Sequence, residues 1–277
     1  SYMEHEHGIF HTQGGLCEIP AAMARAAEDC GAKVHTGTGV KQLILDGRKV
    51  CGVELEDGEK VYADSVVINA DFAHAMTHLV PSDSLKKYTK EKLDSMKYSC
   101  STYMLHLGVD KLYDLPHHTI VFARDYKKNV DEIFKQNCSS SDISFYIRNA
   151  SVTDPNLAPE GKSSLYILVP TPNLDGDIDW DEAQARYREM TFRAISDRLG
   201  IDDLEEHIEV EKAYTPKTWS TELDIFKGAT FNLSHCLSQL AFMRPRNQFE
   251  EFRNCYLVGG GTHPGSGLPT IFESARI

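Results

Sequence analysis

A chain of 277 residues with 41% hydrophobic content is long enough to bury more than one core. Its 41 acidic against 29 basic side chains give a net charge of −12, which argues against a nucleic-acid partner and against electrostatic adhesion to anionic lipid. No apolar run is long enough to span a bilayer as a helix, and the seven cysteines are scattered with no C-x-x-C pair, which speaks against a disulfide framework or zinc site and fits a reducing cytoplasm.

The opening SYMEHEHGIF has neither a charged n-region nor an apolar h-region, so no signal peptide is expected. His5, His7 and His11 with Glu6 have metal-ligand chemistry, but on a polar terminus solvated histidines are the expectation. After a glycine turn at residues 12–15, LCEIPAAMARAAEDCG places Leu16, Ile19, Met23, Ala26 or Ala27, and Cys30 at helical spacing, with Gly31 as C-terminal cap. Asp46-Gly47 and Asp57-Gly58 are hairpin signals joining VKQLIL, KVCGVEL and KVYAD into a three-stranded meander. SVVINAD then reads as a buried strand ending at Asp71, which caps a helix from Phe72 toward Leu79. His74 and His78 stand four apart on that helix, as zinc ligands can, but with no third ligand in view a plain helix face is the expectation.

From about Ser99 the texture changes. STYMLHLGV, HTIVFAR, SFYIRNA and SSLYILVPT are strands parted by loops, VDEIFKQN is helical, and a long helix runs from about Asp179 to Leu199 and stops at Gly200. The fold class expected is α/β (α+β), with residues 1–98 and 244–277 sharing one domain and 99–243 forming a mainly antiparallel sheet with helices on one face.

The last stretch, CYLVGGGTHPGSGLPTIFESARI, is a strand, a glycine-rich turn and the start of a helix. Glycines let the backbone approach a ligand closely, and the helix offers unpaired N–H groups and its positive dipole end to an anion such as a phosphate or a flavin's pyrophosphate. The bland alternative is a loop that only turns a corner. His263 lies inside this turn, where reaching a flavin edge and packing beside the turn are both open. Glu273 and Arg276 read as a surface pair.

HTQGGLCEIPAAMARAAEDCGAKVHTGTGVKQL, INADFAHA, SVTDPNLAPEGKSSLYILVP and LVGGGTHPGSGLPTIFESARI together resemble the bacterial and fungal phytoene desaturase family of carotenoid biosynthesis, over essentially the whole chain. The resemblance implies FAD in a domain of glutathione-reductase type and removal of hydrogens from a polyene. It further implies cofactor contacts at Gly259, Gly260, Gly261, Thr262, Gly265, Gly267, Leu268 and Pro269, at Val40, and at Asn69 and Asp71, with valine at Gly260 or Gly265 expected to abolish flavin retention. No catalytic residue is singled out. A carotenoid or other isoprenoid lipid is the implied substrate, reached from a membrane surface by a peripheral, cytoplasmic protein; no nucleic acid is expected, and a homo-oligomer stays open.

One departure stands out: the family's opening G-x-G-x-x-G turn is absent. The chain is therefore expected to be an internal fragment, with a partial Rossmann-like FAD domain, that by itself neither binds FAD usefully nor turns over substrate. A carotenoid isomerase, a ketolase, a diapophytoene desaturase and a non-enzymatic lipid carrier are alternatives on the same scaffold.

Overall fold

The computed structural model describes residues 2–277. Helix α1 (Tyr2–His7) leads to the turn at residues 12–15 and to α2 (Glu18–Asp29), closed by Gly31 at φ +90°. The periodicity of α2 predicts its existence correctly but not a buried face, since no residue of the helix is buried and Met23 is 53% exposed. Strands β1 (Val40–Asp46), β2 (Lys49–Leu55) and β3 (Lys60–Tyr62) form the antiparallel meander, turning at the two Asp-Gly pairs. Strand β4 (Val66–Ile68) follows, and α3 (Phe72–His78) starts at Asp71, whose carboxylate accepts from the His74 amide at 2.9 Å. Helix α4 (Lys90–Ser95) ends this part.

The second part is built on strands β5 (Ser101–Val109), β6 (His118–Val121), β7 (Phe145–Asn149), β8 (Ser163–Thr171) and β9 (Ile208–Tyr214), all antiparallel in the order β6-β7-β8-β5-β9. Helix α5 (Tyr126–Asp131) runs on into one π-helical turn, Glu132–Gln136. Helix α6 (Trp180–Leu199) is capped at its start by Asp179, whose carboxylate accepts from the Asp181 amide, and ends on left-handed Gly200. Its Trp180, Tyr187, Phe192 and Ile195 bury one face of the sheet together with Tyr103, Leu105, Ile147 and Ile167. The chain then passes α7 (Pro216–Thr221), which opens with a Thr215–Thr218 capping box.

Period-two alternation sends every second side chain of the five strands to the opposite face. The register stacks two neighbouring rows across it. One is Ile120, Tyr146, Leu168, Met104 and Tyr214, apolar in body throughout; the other is His118, Arg148, Tyr166, His106 and Lys212. Each row crosses five strands, a span of about 19 Å at the usual interstrand spacing.

A second core gathers Leu43, Val50, Ile68, Phe72, Met76, Tyr88 and Leu93 with Phe249, Phe252 and Leu257. Phe226 and Leu233 pack into it as well, so the chain has returned to this core before residue 244. Strand β10 (Cys255–Leu257) pairs parallel with β4, Cys255 opposite Val66 and Leu257 opposite Ile68, and α8 (Leu268–Arg276) follows after the glycine turn. On α8, Arg276 meets Glu273 at 2.6 Å on the surface. No helix among the described residues is long and apolar enough to cross a membrane.

Candidate functional site

The parallel pairing of β4 with β10 carries two strand ends to one place. The Val258 amide donates to the Ile68 carbonyl at 3.0 Å, which sets Asn69 beside the start of the glycine turn. A Cβ on Gly259, held at φ +105°, would stand 3.0 Å from Asn69 Oδ1. Asp71 reaches the same turn through Asn232: Asn232 Nδ2 donates to Asp71 Oδ2 at 2.6 Å, while Asn232 Oδ1 lies 2.6 Å from where a Gly261 Cβ would sit. Burial pushes the Asp71 carboxyl up to about 6, against the pull of the amides it caps.

The turn itself is tied down by buried polar groups. Thr262 is buried and its hydroxyl donates to the Gly259 carbonyl at 3.1 Å. The Ser274 hydroxyl accepts from the Gly259 amide at 2.9 Å, and Asn247 Nδ2 bridges the carbonyls of Leu257, His263 and Ser274. Beneath these lies Arg244, only 1% exposed, whose guanidinium donates to four carbonyls: Gly260 at 2.7 Å, Thr262 at 3.0 Å, Leu233 at 3.1 Å and Gln239 at 3.2 Å. Among the described residues no carboxylate forms an ion pair with it, and burial pulls its pKa down. His235 Nε2 accepts from the Ser266 amide at 3.1 Å, so the neutral ring is the form that fits, consistent with a pKa lowered first by burial and then by Arg244.

The expected contact residues are thus brought together with one exception. Gly259, Gly260, Gly261, Thr262, Gly265, Gly267, Leu268 and Pro269 form one continuous turn and helix start, with Asn69 and Asp71 against it. Val40 opens β1 opposite Leu55, and among the described residues no hydrogen bond joins it to the turn. Gly260 lacks the positive φ that would bar a side chain there, and a Cβ on it would meet Ser266 at 3.5 Å, ordinary contact distance within the chain. The tight position is Gly261, where a Cβ would also fall 2.6 Å from Phe72 Cβ, while Gly265, at φ +141° and 2.9 Å from His235 Nε2, is closed as expected. His263 is tied to the neighbouring segment, its amide donating to the Pro245 carbonyl at 2.9 Å.

Arg244, Asn232, Asn247, Ser274 and His235 escape a reading of the sequence. The one signal for Arg244 is an arginine directly after the apolar LAFM, in an acidic chain.

The sequence signature of the flavin containing amine oxidoreductases matches residues 1–277. The chain belongs to that family. It is 55% identical over 276 residues to a 4,4'-diapophytoene desaturase (4,4'-diapolycopene-forming) of Methylomonas sp, covering 100% of this chain and 54% of that protein. It is 41% identical over 280 residues to an all-trans-zeta-carotene desaturase of Myxococcus xanthus, covering 100% of this chain and 53% of that protein. The chain spans about half the length of the curated relatives it matches. An oxidoreductase from Methanosarcina mazei has the same fold over 94% of this chain and 52% of its own, at a TM-score of 0.61 and 18% identity.

The glycine turn of this family member fits the phosphate-bearing part of a flavin nucleotide. Among the described residues the amides of Gly260, Gly261 and Gly265 donate to no acceptor in the chain, and the start of α8 lies at the surface with Leu268 52% exposed. Free amides ahead of a helix start are chemistry that suits an anion, while the space beside Gly259, Gly261 and Gly265 is filled by Asn69, Asn232, Phe72 and His235.

Proposed function

We propose that this chain forms part of an FAD-dependent carotenoid desaturase, with the core around Phe72, Leu233 and Leu257 and the glycine turn on the flavin side and the five-stranded sheet on the substrate side. The observation that carries the reading is the 55% identity, over 100% of this chain, to a protein named as a diapophytoene desaturase. Phytoene and 4,4'-diapophytoene are the substrates tested first. FAD, when bound, supplies the acceptor for the hydrogen removed. The chain's own part is positional. The turn at residues 259–267 and Asn69 hold the nucleotide, Arg244 keeps the turn in shape, and the apolar row from Ile120 to Tyr214 gives a polyene a dry wall to lie against.

The turns around Leu237 and Phe242, 85% and 82% exposed, supply the apolar surface that a peripheral protein inserts into a bilayer. These two side chains support membrane contact in a protein whose charge of −12 does not favour it. The outer edge of β4, where Val67 is 60% exposed, supports self-association.

The test is product analysis. A full-length protein containing this chain, loaded with FAD and given phytoene or diapophytoene in liposomes, is expected to yield products with longer conjugation, read by the red shift of their absorption. Unchanged substrate from both, with flavin bound, would falsify the desaturase reading.

A further inference from the structure

Away from the glycine turn, a cavity of about 690 Å³ lies between the segment ahead of α2 and the open face of the five-stranded sheet. Ile9, Phe10, Leu16, Tyr146 and Tyr166 give it mainly apolar walls, and its volume is in the range of small-molecule sites. One end is different in kind. Arg148 projects from β7 in the row between His118 and Tyr166, with His11 and His117 beside it.

The guanidinium has only weak partners. Its Nε donates to His117 Nε2 and its Nη2 approaches His11 Nδ1, both at 3.4 Å, and among the described residues no carboxylate pairs with it. Asp154, the acid on this rim, is already taken: it accepts from the Gly14 amide at 2.6 Å and the Asn156 amide at 3.3 Å and lies 3.5 Å from His11. His117 is held toward its neutral form, by burial first and then by His118, Arg148 and His11. Arginine keeps its charge at any working pH. A permanent cation therefore faces imidazole rings, with no carboxylate of its own among the described residues, at the end of an apolar cavity.

A hydrocarbon filling this space would strip water from Arg148 and give nothing back, which is costly for a charge. An anion there would form charge-assisted, geometrically suited bonds with the guanidinium fork. We propose that the cavity binds an amphiphile with one anionic head, carboxylate or phosphate, set on Arg148, and an apolar chain along Phe10, Leu16, Tyr146 and Tyr166. The site is separate from the flavin turn, shares only Tyr146 with the row offered to a polyene, and does not rest on the desaturase reading.

The probe is cis-parinaric acid, whose fluorescence rises in apolar surroundings, titrated into the 277-residue chain and displaced by oleate, lysophosphatidate or oleyl alcohol. Saturable binding is expected, with oleyl alcohol displacing at least about tenfold less well than the better acid, the usual scale for one charge-assisted bond. Which acid wins separates a free fatty acid from a lipid phosphate head. Arg148→Leu is expected to weaken parinarate about tenfold or more and Arg148→Lys, which keeps the charge without the fork, to lose less than that, with circular dichroism verifying the fold. Absence of saturable parinarate binding to the wild-type chain, equal displacement by alcohol and acid, or undiminished binding to a folded Arg148→Leu chain, overturns the proposal. If Arg148→Leu fails to fold, the acid–alcohol comparison on the wild-type chain decides alone.

Discussion

Arg244 Nη2 donates to the Gly260 carbonyl at 2.7 Å, so the glycine turn rests on a buried side chain sixteen residues earlier. The same guanidinium holds Leu233, Gln239 and Thr262, which ties three loop segments to one cation. Arg244→Met fills the space but removes every donor. It is expected to destabilise the chain by roughly 3 kcal/mol, the cost of stranding buried acceptors once held by a charged group, and to lower the thermal midpoint by on the order of 10 °C. Arg244→Lys retains the charge without the fork and recovers only part of this. A Met variant melting with the wild type by scanning calorimetry would remove Arg244 from its supporting role.

Gly261 and Gly260 are neighbours with opposite tolerance. Alanine at Gly261 drives a methyl group against Phe72 Cβ and Asn232 Oδ1, both 2.6 Å away, at an expected cost of about 1–3 kcal/mol from overpacking. Alanine at Gly260 meets Ser266 at 3.5 Å and is expected to stay within about 0.5 kcal/mol of wild type. Urea unfolding of both variants compares them, and equal midpoints would mean that the packing of Phe72 against the turn has been misread.

Asp71 gives stability an inverted pH dependence. Its carboxyl is pushed from 3.8 up to about 6 by burial, so between those values the folded chain holds a proton that the unfolded chain has lost. Its contribution therefore falls as pH rises from about 4 to about 6 and is level above that, a difference on the order of 2–3 kcal/mol. Asn is as good an N-cap and carries no charge, so Asp71→Asn is expected to match or exceed wild-type stability at pH 7. Wild type minus variant, measured by urea unfolding from pH 4 to 7.5, isolates the residue from other titrating groups. A difference that does not change with pH would show that Asp71 ionises freely in the fold.

How far the sequence discloses the molecule depends on the range of the interaction concerned. The Asp-Gly hairpins, the Asp179 and Gly200 ends of α6, and the Asp71 cap are decided within a few residues, and each stands where local chemistry puts it. The apolar stripe of α2 is as regular as any, yet periodicity describes a surface and not what covers it. Arg244 under the turn and Arg148 beside the cavity depend on contacts that no local pattern encodes. Glycine type alone also fails to tell open Gly260 from closed Gly261, because the difference lies in Phe72 and Asn232, far off in sequence.

The longest of these connections makes the last prediction. Asp154 accepts the Gly14 amide at 2.6 Å across 140 residues, fastening the turn before α2 to the second part of the chain. That amide is the first cause holding the Asp154 carboxyl below its ordinary value. A depressed carboxyl stabilises above its unfolded pKa and loses that contribution as pH falls through its folded one, opposite in sign to Asp71. Asp154→Ala removes the acceptor at every pH and is expected to speed proteolytic cleavage within residues 8–17 several-fold at pH 7, while Asp154→Asn, which still offers an oxygen, stays close to wild type. In the wild type the same segment should become sensitive to pepsin below about pH 4. Because Phe10 and Leu16 belong to this segment, Asp154→Ala should also weaken parinarate binding with Arg148 untouched. Cleavage sites and rates read by mass spectrometry decide it, and an Ala variant as resistant as wild type would mean that the turn is held by something other than Asp154.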